Sequence, residues 1–252
     1  MKRTIIMFVA AFAMTLGLHA QEVESVNTMV VNRTDGTTVK ILLSDVEEIT
    51  FVNELSDSHD YVDLGLPSGT LWATCNVGAN SPEEYGDYFA WGETAPKDVY
   101  DWSTYKWCEG SYNTLTKYCN DANYGNNGYT YNKLELDLED DAAYVNWGAE
   151  WCMPSKEQQD ELRDNCTWTW TTLNGVAGRI VTGTNGNSIF LPAAGYRDGG
   201  GLDHAGSWGC CWSRSLSSYY PYNAYELDFD SGDIYWNNNY RYCGQSVRAV
   251  RR

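Results

Sequence analysis

Site chemistry needs acids, bases, nucleophiles or metal ligands at workable spacing, and this sequence supplies them unevenly. Carboxylates are abundant, with 34 Asp and Glu against 17 Lys and Arg. Leu136 to Asp141 concentrates Asp137, Glu139, Asp140 and Asp141, and the stretch from Asp228 to Asp233 holds Asp228, Asp230, Ser231 and Asp233. Clustered oxygens suit a hard cation such as calcium, although neither stretch has EF-hand spacing. The alternatives are negative charge at a helix N-terminus for the first cluster and the solvent face of a strand and its turn for the second. Bases are scarce: beyond His19, only His59 and His204 occur. A Ser-His-Asp triad would depend on Asp203-His204 or on His59, and no G-x-S-x-G, H-E-x-x-H or P-loop pattern is present. Asp203-His204 reads as a polar loop in glycine-rich surroundings, and no carboxylate pair stands out for glycosidase work. Cysteines stand at 75, 108, 119, 152, 166, 210, 211 and 243, with no C-x-x-C pair among them. Their connectivity is not readable from sequence, no zinc ligand set is spelled out, and the adjacent Cys210 and Cys211 are poorly placed to bond each other.

Binding chemistry is better represented. From Gly206 to Gln245 the chain is dense in Tyr, Asn, Ser, Asp, Gly and Trp. Tyrosine offers large, fairly rigid, amphipathic contact area, and Ser, Gly and Asn offer adaptable hydrogen bonds, which is the composition of antibody paratopes. Trp208, Tyr219, Tyr220, Tyr222, Tyr235, Trp236 and Tyr240 are the candidate aromatic anchors, with Asp230, Asp233, Asn237, Asn238 and Asn239 as polar contacts. The other reading is a set of turns whose tyrosine rings cover the edge of the core. The formal charge of −17 argues against nucleic acid and anionic membrane as partners.

These residues need elements to hold them. Residues 1–20 have the layout of a secretory signal peptide: basic Lys2 and Arg3, an apolar run from Ile5 to Leu18, and Ala20 at the expected cleavage point. The run is short of the ~20 residues of a bilayer-spanning helix, and no later segment is apolar enough to span. Residues 21–55 read as a small β unit, with Met29 to Val31 and Thr38 to Leu42 as strands around an Asp35-Gly36 turn, extended by Val46, Ile49 and Phe51. Residues 53–60 are polar and read as a linker, with 61–252 as one domain. In that domain Asp140 or Asp141 can cap a helix running to Trp147 and ended by Gly148. Ser155 and Gln158 have capping-box spacing for a second helix to about Asn165, with Leu162 and Cys166 inward. Arg179 to Thr182 and Ser188 to Leu191 flank an Asn185-Gly186 hairpin signal. Tyr225, Leu227 and Phe229 alternate with Glu226, Asp228 and Asp230, as in a half-buried strand. Ser246 to Val250 closes the chain as a short strand. Much of 77–135 shows no regular pattern and reads as long loops.

Ordered blocks across this domain resemble a known family. They are Asp63-Leu64-Gly65-Leu66-Pro67-Ser68-Gly69-Thr70-Leu71-Trp72-Ala73-Thr74, Tyr85 to Glu93, Trp151-Cys152-Met153-Pro154-Ser155, Leu191 to Arg197, Trp212-Ser213, and Gly244 to Val250. Together they resemble the Fibrobacter succinogenes major paralogous domain family of exported bacterial proteins. The resemblance covers about 61–252 and implies a C-type-lectin-like fold. The tail also resembles the variable regions of diversity-generating retroelement target proteins, which place hypervariable positions on such a scaffold. That likeness implies that Cys210, Cys211 and Cys243 are products of variation rather than a disulfide framework. The Glu-Pro-Asn and Gln-Pro-Asp sugar motifs of calcium-dependent lectins are absent, and Trp236-Asn237-Asn238 only loosely echoes their Trp-Asn-Asp block. The cysteine pair of formylglycine-generating enzymes is not reproduced either.

The expectation is therefore an α+β chain: a small β unit, then a C-type-lectin-like domain with short helices and long irregular loops. It would be exported, to the cell surface, periplasm or extracellular space, and would bind a protein or glycan ligand through residues 206–243 without catalysis. A cofactor is not expected, calcium apart. A structural or adhesive surface protein and a carbohydrate-active enzyme are the alternatives.

Overall fold

The computed structural model describes residues 59–252 and, upstream, the backbone of two strands, β1 (Thr28–Asn32) and β2 (Thr38–Leu42). β1 and β2 pair antiparallel with Val30 opposite Lys40, as the strand runs there suggest. This hairpin belongs to one compact unit, Met1–Glu54, and every element below belongs to a second, Leu55–Arg252. The export segment 1–20, the Asp35-Gly36 turn, Val46, Ile49, Phe51 and linker residues 53–58 lie outside the described residues.

Both helices start where the capping residues put them. Helix α1 (Ala142–Trp147) is capped by Asp141, whose carboxylate accepts from Tyr144 N at 3.0 Å, and ends at Gly148 with φ 96°. The same Asp141 carboxylate accepts from Met153 N, so one buried acid ties the helix to the strand that follows it. Helix α2 (Lys156–Asn165) has the full reciprocal capping box of Ser155 and Gln158, and buries Leu162 and Gln159.

The strands of this unit form antiparallel sheets around these helices. β3 (Tyr61–Asp63), β4 (Leu71–Ala73), β5 (Trp151–Cys152) and β14 (Val250–Arg251) make one sheet of order β3-β4-β14-β5. Val250 there lies between Trp72 and Cys152. A second sheet is the meander β6 (Thr167–Leu173), β7 (Val176–Thr182) and β8 (Ser188–Pro192). Its first turn, Asn174-Gly175, has positive φ at both residues, the two-residue geometry that matches strand twist. A short hairpin follows, β9 (Tyr196–Asp198) and β10 (Gly201–Asp203). The third sheet is β11 (Gly209–Leu216), β12 (Asn223–Phe229) and β13 (Ile234–Tyr240), and half of the candidate ligand residues lie on β13. The class is α+β, dominated by sheet. Among the described residues, no helix is long and apolar enough to cross a membrane.

The core is built on tryptophan. Trp91, Trp147, Trp151 and Trp212 share one buried cluster with Phe89, Tyr118 and Val247. A second gathers Leu64, Trp72, Leu162, Val181, Leu227 and Phe229 beneath α2. Buried indoles need a partner for their N–H, and Trp91 and Trp212 donate to the carbonyls of Ser213 and Phe89, each at 2.8 Å. All eight cysteines are free, and Cys210, Cys211 and Cys243 are buried. Variation at those three positions would thus meet core packing rather than solvent.

Two sequence expectations change. Ser246 to Val250 is strand only at its end; Ser246 makes a lone parallel bridge to Cys211, and Val247 O accepts from Val77 N. Glu226 and Asp228 are not on a solvent face but are 1 % and 3 % exposed, because β11 and β13 flank their strand and Gln245 packs on the same side.

Candidate ligand-binding face

Tyrosine chemistry converges at one edge of the β11-β12-β13 sheet. The turn from Ser217 to Tyr222 is held by Ser217 N to Asn223 O and Asn223 N to Tyr220 O bonds. It projects Tyr220 and Tyr222, whose rings stack at 5.1 Å, while Tyr240 at the end of β13 lies 6.0 Å from Tyr222. Trp102, Tyr112 and Tyr124 come from the long loop region. Tyr112 and Tyr124 meet Tyr222 at 5.4 and 5.1 Å, and Trp102 meets Tyr240 at 5.9 Å. Trp102, Tyr112, Tyr124, Tyr222 and Tyr240 line a cavity of about 450 Å³. Ring pairs at these separations contribute about 0.5–1.5 kcal/mol each beyond their area burial, so the rings are mutually braced before any ligand arrives.

The loop region that delivers three of the five cage rings is ordered by local bonding. Leu115, fully buried, donates to Tyr124 O and accepts from Asn126 N at 2.9 and 2.8 Å, closing the segment on itself. Gly125 passes so near Tyr129 O that an added Cβ would lie 1.8 Å from it, so no side chain fits there. Arg241 then fastens the loop to the sheet. Its fully buried guanidinium donates to Tyr105 Oη, Tyr118 O, Pro221 O and Lys117 O, and sits 5.0 Å from the Trp91 ring.

A second concavity of about 560 Å³ lies between α2 and β12–β13, lined by Lys156, Asp160, Arg163, Tyr219, Tyr225 and Trp236 with Asn237 and Asn238. Lys156 Nζ stands 4.1 Å over the Trp236 ring, and the Trp236 indole N–H donates to Asp160. This groove presents both charge signs beside an aromatic floor.

The expected anchors therefore divide. Tyr222 and Tyr240 line the cage, with Tyr220 stacked beside it; Tyr219, Trp236, Asn237 and Asn238 line the groove. Trp208 belongs to neither, being stacked on His204 at 4.3 Å. Asp230 and Asp233 are turn residues: the Asp230 carboxylate accepts from Gly232 N and Asp233 N, while Arg179 holds the Asp230 and Asp233 carbonyls. Tyr235 is half-buried opposite Asp228, and Asn239 Oδ1 accepts from Tyr240 N. Trp102, Tyr112, Tyr124 and the groove residues Lys156, Asp160, Arg163 and Tyr225 were not singled out from sequence. The only signal for the first three was aromatic density in a patternless loop.

Neither acidic stretch is arranged for calcium. Lys117 Nζ lies 2.6 Å from Asp140, 2.9 Å from Asp137 and 3.3 Å from Glu139, and Lys133 pairs with Asp137, so ammonium groups occupy the place a cation would take. Burial works against the Asp137 charge, yet hydrogen bonds from Lys133, Lys117 and Tyr118 outweigh it and hold the carboxyl well below its usual range. In the second stretch Asp228 points inward, away from the turn carrying Asp230 and Asp233. The two histidines among the described residues are packed rather than poised. His59 stacks on Trp147 at 3.8 Å, and His204 on Trp208.

No family model, curated protein or solved structure matches the chain.

With those contacts the face offers flat aromatic surfaces, phenol hydroxyls, indole N–H groups and a fringe of carboxamides. These can stack and hydrogen-bond.

Proposed function

We propose that the protein is an exported binding module, at the cell surface, in the periplasm or outside the cell, that holds a glycan or protein ligand without transforming it. The observation that carries this reading is the aromatic cage of Trp102, Tyr112, Tyr124, Tyr222 and Tyr240, converging from three separate chain segments on an open cavity. Tyr112, Tyr220 and Tyr240 are 47 %, 47 % and 45 % exposed, a large apolar commitment to solvent. Such rings suit the apolar face of a sugar or the side chains of a partner protein. A C-type-lectin-like scaffold of the major paralogous domain type is the framework we assign. In its favour are the sequence blocks named above and the sheet that joins β14 to strands from the start of the unit. Diversification of the tail would act on the exposed tyrosines 219, 220 and 240.

The test is a glycan and protein array probed with the purified protein and with the Tyr222→Ala/Tyr240→Ala variant. Ligands retained by the parent and lost by the variant support the reading. Binding that survives in the variant, or no binding to either array, would overturn the cage as the ligand site. A template repeat with adenines at the varied codons, beside a reverse transcriptase gene, is the separate genomic test of diversification.

A further inference from the structure

On the inner side of the β11-β12-β13 sheet, Cys210 and Asp228 are register partners, and Glu226 lies two residues along on the same face. One ligand atom from each of these three residues falls within 4.8 Å of the others. All three are at most 3 % exposed. Gln245, fully buried, brings its carboxamide to the group, its nitrogen donating to Glu226. Asn237 Nδ2 donates to Asp228 Oδ2 at 3.0 Å from the neighbouring strand.

Three oxygens in this pocket, Glu226 Oε1, Asp228 Oδ1 and Gln245 Oε1, make no hydrogen bond of normal geometry, the nearest further groups being the Cys210 thiol beside Asp228 and the Asn239 carboxamide beside Glu226. Among the described residues no ion pair reaches either carboxylate. Two carboxyls this close and this deep cannot both carry charge without a cation. A proton shared between them would neutralise one charge but leave the other buried without a counter-ion, which is costly. A metal ion would engage one oxygen of each carboxylate and the sulfur together, with the Gln245 carboxamide alongside.

We infer that Cys210, Glu226, Asp228 and Gln245 form a buried site for a single divalent transition-metal ion of zinc type. The donor set decides the class. One thiolate with three oxygens makes a four-coordinate set suited to a borderline ion, whereas calcium takes six to eight oxygens and no sulfur. Binding is an exchange of ions without redox: the thiol proton and any carboxyl proton leave to water as the metal–sulfur and metal–oxygen bonds form. Asn237 then acts from outside the ligand set, orienting Asp228. The site lies inside the sheet that bears Tyr222 and Tyr240 on its edge, so the metal would stiffen the platform of the binding face. It is independent of what that face binds.

Because the site is closed, the experiment loads it during folding. The full chain is denatured in chelator and reductant, refolded with zinc or cobalt, desalted and assayed for metal. The expected result is a single equivalent retained per chain, a melting temperature raised by several degrees over the metal-free protein, and a thiolate-to-cobalt charge-transfer band. Cys210→Ser abolishes that band, and Glu226→Gln/Asp228→Asn lowers retained metal at least tenfold. Parent protein that refolds fully, shown by near-ultraviolet dichroism, but retains no metal would overturn the inference in favour of a proton-sharing carboxyl pair. So would a cobalt spectrum unchanged in Cys210→Ser. Should the variants fail to fold, metal content and the cobalt band of the parent decide alone.

Discussion

The Arg241 guanidinium donates to the hydroxyl of Tyr105 at 2.8 Å, and its remaining bonds go to the carbonyls of Lys117, Tyr118 and Pro221. One side chain at the end of β13 thus joins the long loop, the turn carrying Tyr220 and Tyr222, and the sheet.

Replacing Arg241 by Met should therefore cost more than one contact. The change strands several buried acceptors, and a loss of about 2–4 kcal/mol is expected. Lysine cannot recover it, since its ammonium lacks the planar fork that reaches all four oxygens. Chemical denaturation of Arg241→Met and Arg241→Lys checks this, and both should also lose tyrosine near-ultraviolet dichroism as the cage loosens.

Tyr240→Ala and Tyr222→Ala should separate binding from stability. Their rings meet mainly other rings at the surface, four for Tyr222 and three for Tyr240, so at the low end of the range per pair stability should fall by about 1.5–2 kcal/mol. For a bound ligand, loss of a cage ring should weaken affinity by roughly 30-fold, or about 2 kcal/mol. Calorimetric titration with an array-identified ligand, beside thermal melts, measures both. Tyr118→Ala is the contrast: fully buried and bonded to Asp140, it should destabilise by about 3–5 kcal/mol.

Lys117→Met should make the acidic cluster bind calcium. The ammonium that bridges Asp137, Glu139 and Asp140 is then gone, leaving the three carboxylates with only the more exposed Lys133 on Asp137 and Lys106 on Asp140. The variant should melt lower than the parent and recover part of the loss in millimolar calcium, while the parent melt does not respond. The parent cluster is also acid-labile. The Asp137 carboxyl lies below its unfolded value, so its contribution is present above about pH 4 and lost as pH falls through the folded value.

The buried pair should respond to pH in the opposite sense. Burial, reinforced by the nearby Asp228 charge, pushes the Glu226 carboxyl well above its ordinary range, and burial lifts Asp228 to about 6. Between the unfolded value near 4 and about 6, the native state binds more protons than the unfolded chain, so metal-free stability falls as pH rises. Melts in chelator from pH 4 to 7 should show this decline, and Glu226→Gln/Asp228→Asn should remove it.

Local rules carried the fold further than the site. Ser155 with Gln158, and Asp141 with Gly148, fix helix ends through atoms a few residues apart, so the sequence displays them directly. The alternation of Tyr225, Leu227 and Phe229 marks a strand but is silent on what covers its other side. Here β11, β13 and Gln245 enclose Glu226 and Asp228, which alternation alone assigns to solvent. The cage was half legible. Tyr222 and Tyr240 stand in a stretch whose composition announces contact, but Trp102, Tyr112 and Tyr124 reach them across a long separation, through Arg241 and a loop with no period. Trp208, Asp230 and Asp233 show the converse error, since residue type named them and local turns and stacking claimed them.

The insertion of Val250 between Trp72 and Cys152 sets a timetable. A growing chain can form α2 and the β6-β7-β8 meander early, but β4 and β5 have no strand between them until residue 250 has emerged. The pairing that closes this sheet spans nearly the whole unit, and such distant pairings form slowly. Until then Trp72 and Cys152, both buried in the finished unit, are without the strand that pairs with each of them.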